Sequence, residues 1–203
     1  SKRSSSELLD AAAAETAFTT TTPCWRARAN KIWHACKHSH GRCAFATLVL
    51  NDRFGAYAYA LYRSLKATGT TAPLVVMTTP DVSEATISSL LKLGGESNNV
   101  TEAAASPNAV PTRSVIRVHR IGRVQYPSRY RVTHEDNETR KSLRFTKLEA
   151  WRLTSYRKVV LIDTDTMVLR NIDALFTCAA GSAVADMGAP TNFNSGIFVL
   201  DPS

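Results

Sequence analysis

Short apolar runs alternate along the chain with stretches whose apolar residues recur at helical spacing, and this alternation sets the expected order of elements. Residues 44–50 (A-F-A-T-L-V-L) form an apolar run of strand length, which Asn51 and Asp52 stop while offering a cap to the next element. Over residues 53–68, Phe54, Tyr57, Ala58, Leu61, Tyr62 and Leu65 recur at the period of a helix with one buried face, and Gly69 is placed to end it. Residues 74–79 read as a second strand closed by Pro80. Asp81 followed by Glu84 has the spacing of a capping box, opening a helix through Leu93 that Gly94 and Gly95 end. A polar loop (96–112), a third strand (114–121) and a long basic loop (122–142) follow. Phe145, Leu148 and Trp151 step by three and mark a helix over 143–156.

The stretch 158–169, K-V-V-L-I-D-T-D-T-M-V-L, organises what surrounds it. Its β-branched and leucine run suits a strand buried on both faces, and charge begins abruptly at its carboxyl end. Beyond it come a brief helix from Asn171 or Asp173, a strand over 182–186, and Phe193-Asn194-Ser195-Gly196 leading into a strand at 197–200. The order β-α-β-α-β-α-β predicts an α/β domain with a largely parallel sheet and flanking helices. That domain starts near Cys43. Residues 1–42, with serine and threonine runs and no sustained period, read as a low-order tail or stem, with one short helix at 7–18. Because the sequence stops just after a strand that belongs inside a sheet, residues 43–203 are expected to be the N-terminal part of a longer domain, truncated at its C-terminus.

Composition adds little to the fold and something to the choice of partner. Among 203 residues, 44% hydrophobic and 21% charged is ordinary for a globular protein, and no run of about 18 apolar residues offers a membrane span. The formal net charge of +8 favours anionic partners. Its excess lies in residues 113–147, where Arg113, Arg117, Arg120, Arg123, Arg129, Arg131, Arg140, Lys141, Arg144 and Lys147 face only Glu135, Asp136 and Glu138. No nucleic-acid-binding motif accompanies them, so a solvated basic face with one or two phosphate-binding members is expected, and no nucleic-acid partner. His34, Cys36, His38, His40 and Cys43 lack the paired C-x2-C spacing of a zinc site and read rather as a His-rich tail or a local disulfide. Two sequons, at Asn99 and Asn137, lean toward a Golgi or secretory lumen over the cytoplasm.

The chemistry gathers at Asp163-Thr164-Asp165. In an extended chain, residues two apart share a side, which would present two carboxylates together at a strand end, where open α/β sheets bind ligands. Paired anionic oxygens repel unless a cation lies between them, and hard oxygen ligands suit Mn2+ or Mg2+. The plainer alternative is a turn, since Asp and Thr hydrogen-bond to their own backbone there.

Strand plus D-T-D, then N-I-D-A-L-F, then F-N-S-G-I-F-V-L-D-P-S, with T-L-V-L-N-D, L-V-V-M-T-T-P-D-V-S and F-T-K-L-E-A-W upstream, resemble family 8 glycosyltransferases of the glycogenin-like group. The likeness covers about residues 44–203. It implies a GT-A-type, Rossmann-like fold. It implies transfer of a hexosyl or uronosyl group, with retention, from a UDP-sugar to an acceptor that is a protein, a glycan or a lipid. By the same resemblance Asp163 and Asp165 would hold the metal, with the Thr164 backbone near the donor. Leu48 and Asn51 would meet the uridine, Lys147 and Arg140 the donor, and Asn194 and Ser195 the sugar pocket, with Gly196 allowing close backbone approach. This chain has Leu50 where the family often has a hydroxyl residue and Phe54 where it often has a tyrosine. A histidine ligand and a diphosphate-binding lysine from a later H-x-x-G-x-x-K-type segment fall outside these residues. No catalytic base is assigned, and a homodimer is allowed by the resemblance.

Two rival readings stay open. An inactive or fragmentary nucleotide-sugar-binding module would bind without turnover. A haloacid-dehalogenase-like phosphatase also opens on D-x-D, but wants Thr or Val where this chain has Met167.

Overall fold

The computed structural model describes residues 43–95, 115–124, 145–188 and 192–203. The expected tail (1–42), polar loop (96–112), most of the basic loop including Arg140, and both sequons lie outside the described residues.

Six strands form one sheet in the order β3-β2-β1-β4-β6-β5. They are β1 (Cys43–Val49), β2 (Leu74–Thr78), β3 (Ile116–Arg120), β4 (Lys158–Ile162), β5 (Ala183–Ala185) and β6 (Phe193–Leu200). The first four are mutually parallel, whereas β6 enters antiparallel between β4 and β5. The expectation of a mostly parallel α/β sheet holds. The final strand differs in starting at Phe193: Ala185 pairs with Phe193 and Val184 with Asn194, which draws those residues into the ladder.

Strand alternation divides the core in two. From β1, Phe45 and Val49 face one side with Ala58, Leu61, Tyr62, Leu65, Ile87 and Phe176, while Ala44, Ala46 and Leu48 face the other with Ala150, Leu153 and Tyr156. Every residue of β1, β2 and β4 is buried, as central strands covered on both faces must be. Helices α1 (Gly55–Ala67) and α2 (Glu84–Gly94) supply the first face. The Tyr62 hydroxyl donates to the Gly94 carbonyl, 3.2 Å away, and joins them.

Three local details depart from the sequence expectations. Helix α1 is preceded by a 3-10 turn, Asp52–Phe54, capped by the Asn51 side chain, which accepts from the Arg53 N–H at 3.1 Å. The cap of α2 is Ser83, accepting from the Thr86 N–H, while Asp81 pairs with Arg123 instead. The segment expected as an α-helix over 143–156 is a 3-10 helix, Phe145–Arg152. A step of three is the 3-10 period, and it aligns Phe145, Leu148 and Trp151 on one half-covered face. The small residues Thr146 and Ala150 take the buried side, so this helix lies close to the sheet.

Candidate functional site

The carboxyl ends of β1 and β4 lie side by side, since Ala46 pairs with Leu161 in parallel register. Just past β4 the backbone does not stay extended. The Thr166 N–H donates to the Asp163 carbonyl at 3.1 Å and closes a turn over 163–166. An extended chain would have aimed Asp163 and Asp165 to one side by its alternation alone; here backbone hydrogen bonding within the turn wins over continued pairing. Asp163 is half-buried and Asp165 exposed.

β6 contributes through its reversed direction. Ile162 pairs with Ile197, so the residues before Ile197 project beyond the carboxyl end of β4. The Asp163 N–H donates to the Gly196 carbonyl at 2.9 Å and fastens the two strands at this point. Asn194 folds its side-chain oxygen back onto the Gly196 N–H at 2.7 Å. A Cβ at position 196 would meet that oxygen at 2.8 Å and Asp163 Oδ2 at 3.4 Å, so only glycine fits without displacing Asn194.

The 3-10 helix brings Lys147 to the same place. Its ammonium lies 2.5 Å from Asp163 Oδ1 and donates to the Ser195 hydroxyl at 3.2 Å and the Ser195 carbonyl at 3.3 Å. The Lys147 side chain is 19% exposed and that of Asp163 35%, so the pair is partly screened from water. Lys147, Asp163 and Ser195 thus meet, with Asn194 beside Ser195 on β6. Thr164 joins them differently: its hydroxyl, not its backbone, approaches the Leu48 carbonyl at 3.5 Å.

The Leu48 side chain is 8% exposed and packs in the core. Only its backbone faces the Asp163 turn. Asn51 sits at the same end of the sheet but is engaged as the cap of the 3-10 turn. Arg140 lies outside the described residues. Sequence reasoning missed the groups that hold the chain beyond the turn. Ser64 of α1 accepts from the Val168 N–H at 3.0 Å. Buried Asp173 accepts from the Thr70 hydroxyl at 2.5 Å and from Asn171 at 3.1 Å. The N-x-D spacing of Asn171 and Asp173 was the available signal for the latter.

The donor set suits a hard divalent cation. Asp163 and Asp165 carry hard oxygen donors on either side of Thr164, and the Asp163 carboxylate is engaged by the Lys147 ammonium. Among the described residues no group of three or more His, Cys, Asp or Glu gathers to hold a metal, so this chain segment would supply two ligands at most here.

The sequence profile of a family described as "Mannosyltransferase putative" matches residues 46–180. Over 160 residues the chain is 34% identical to Glycogenin-1 of Caenorhabditis elegans, covering 79% of this chain and 32% of that protein. It is 36% identical to Glycogenin-2 of Homo sapiens, again over 79% of this chain and 28% of the relative. The chain therefore spans about a third of the length of the curated relatives it matches. Among solved structures, an active-site mutant of LgtC superposes with a TM-score of 0.54 at 14% identity, covering 78% of this chain and 57% of the other. At that identity the likeness bears on fold alone, and the fold is of GT-A type.

Proposed function

The chain belongs to the family that this mannosyltransferase profile describes and is a glycogenin-like member of glycosyltransferase family 8; from this premise we propose that it binds a UDP-sugar at the carboxyl edge of its sheet. A hexosyl or uronosyl group would then pass, with retention of configuration, to a protein, glycan or lipid acceptor. The observation that carries this reading is the meeting of Lys147, Asp163 and Ser195 from three separate elements at one strand end. Family membership leaves the phosphatase reading without support.

Asp163 and Asp165 would hold Mn2+ or Mg2+, with Thr164 pinned against β1 to fix the turn between them. When bound, such an ion stabilises the charge that develops on the departing diphosphate. Lys147 would add positive charge beside the same position, and Asn194 and Ser195 would offer polar groups to the sugar. Gly196, where a Cβ would meet Asn194 and Asp163, would leave room for the donor to approach. The donor's own diphosphate oxygens would complete a shell that two carboxylates leave open.

The test is calorimetric titration of UDP with and without Mn2+. Asp163→Asn and Asp165→Asn should each abolish metal-dependent UDP binding while the circular dichroism spectrum stays that of the wild type, because the buried run of β4 precedes both. Unchanged metal-dependent affinity in both variants would overturn the assignment. A panel of UDP-sugars then separates turnover from binding alone. We place the chain in a Golgi or secretory lumen, a reading supported by the sequons at Asn99 and Asn137.

A further inference from the structure

Asp163 carries a cation before any metal arrives. The Lys147 ammonium lies 2.5 Å from its Oδ1, and two further hydrogen bonds, to the Ser195 hydroxyl and carbonyl at 3.2 and 3.3 Å, keep it there. These three acceptors match the three N–H donors of an ammonium group. The lysine is therefore fully satisfied as it stands. We infer that Lys147 is the resident counter-ion of the Asp163 carboxylate, positioned by Ser195, and that it must withdraw when this carboxylate takes a divalent cation. The inference rests on the proposed metal role of Asp163 and goes beyond it, because it makes lysine and metal rivals for one carboxylate.

The physical ground is repulsion. An ammonium and a divalent ion on the same carboxylate would stand within a few ångströms of each other, in a pocket half-shielded from water, where charges interact more strongly than in bulk. Lys147 comes from the 3-10 helix and reaches the site on a four-carbon stem, so it can leave Asp163 without moving the strand. Once released, it becomes an unpaired cation beside the donor position. Metal loading and readiness for an anionic donor are then coupled through one side chain.

The prediction has opposite signs for two ligands. In the 203-residue chain, Lys147→Met should bind Mn2+ alone about tenfold more tightly than wild type, a factor that matches the net strength of one charge-assisted hydrogen bond. The same variant should bind UDP more weakly at saturating Mn2+. Ser195→Ala, which loosens the lysine without removing it, should tighten Mn2+ binding by a smaller factor, about threefold. Lys147→Arg, which keeps a positive charge beside Asp163, should leave Mn2+ affinity closer to wild type than Lys147→Met does. Mn2+ affinity is read by electron paramagnetic resonance of the free ion, so the result does not depend on turnover. Equal or weaker Mn2+ affinity in Lys147→Met, with metal binding intact in the wild type, overturns the rivalry and leaves the metal site standing. Failure of the wild type and Lys147→Met alike to bind Mn2+ overturns both.

Discussion

At the scale of single residues, the buried threonines of the central strands separate stability from function. Thr47 in β1 and Thr78 in β2 are almost wholly enclosed, and their hydroxyls find no hydrogen-bond partner among the described residues. A polar atom removed from water without a partner lowers stability by about 1–3 kcal/mol. Thr47→Val removes that atom while keeping the branched shape, so it should raise the urea midpoint by the equivalent of about 1 kcal/mol. A fall in the midpoint would mean that the hydroxyl has a partner after all. The threonine next to the aspartates behaves differently: the Thr164 hydroxyl reaches across to β1, and its value is positional. Residue identity was legible here only in part. The sequence places Lys147, Asp163 and Ser195 in motifs, but contact between them depends on β6 running backwards, and no local pattern encodes strand direction.

At the scale of elements, the carboxyl side of the sheet is tied together by acidic residues at helix starts. Asp52, in the turn before α1, accepts from the Ser83 N–H at 2.8 Å, and that bond, with a second from the Thr86 side chain, holds its carboxyl below the ordinary range. Glu84 at the start of α2 is likewise lowered by its hydrogen bond to Arg120 at the end of β3, 2.5 Å away. A carboxyl whose folded pKa lies below its unfolded value stabilises the fold at pH above the unfolded value, and that contribution disappears as pH falls through the folded one. Stability should therefore decline as pH drops below about 4, and Asp52→Asn should flatten part of the decline in urea titrations taken across this range. Equal slopes for wild type and variant would remove Asp52 from the account. Elements were the most legible level: β1, β2, α1, α2 and β4 fall where periodicity put them. The 3-10 helix was misassigned because a step of three over so few residues satisfies an α-helical reading as well. The Ser83 cap was missed because Asp81, two residues earlier, offers the same chemistry in a commoner spacing.

At the scale of the whole molecule, the two edges of the sheet differ in character. One edge, β3, carries Arg117, His119 and Arg120 among partly covered residues. Charged edges of that kind resist pairing with other chains. Toward the opposite edge, among the described residues, apolar side chains are exposed: Val184 is 60% exposed, Phe193 62% and Met187 99%. Phe193 continues inward through Phe198 to Trp151, with ring centroids 5.6 and 5.5 Å apart. This face should bind a hydrophobic dye such as ANS in the folded state, and Phe193→Ser should lower the fluorescence by about half without shifting the unfolding midpoint, as loss of part of one patch requires. Dye signal unaffected by the substitution would place the apolar surface elsewhere. The alternation of elements foretold the α/β class and the central position of β4, whereas the insertion of β6 between β4 and β5 follows from side-chain packing across the sheet, which a linear pattern does not carry.

The reversal of β6 has a practical outcome for protein engineering. Asp163 and Ser195 are brought together by a single pair of neighbouring strands, and the backbone bond from Asp163 to Gly196 is made at their junction. The excursion that leaves β4 and returns as β6 is anchored along its length, by Val168 and Phe176 in the core and by β5 against β6. A substitution that breaks the clasp between Asp163 and Gly196 would therefore disturb lysine, carboxylate and hydroxyl together while leaving those anchors in place.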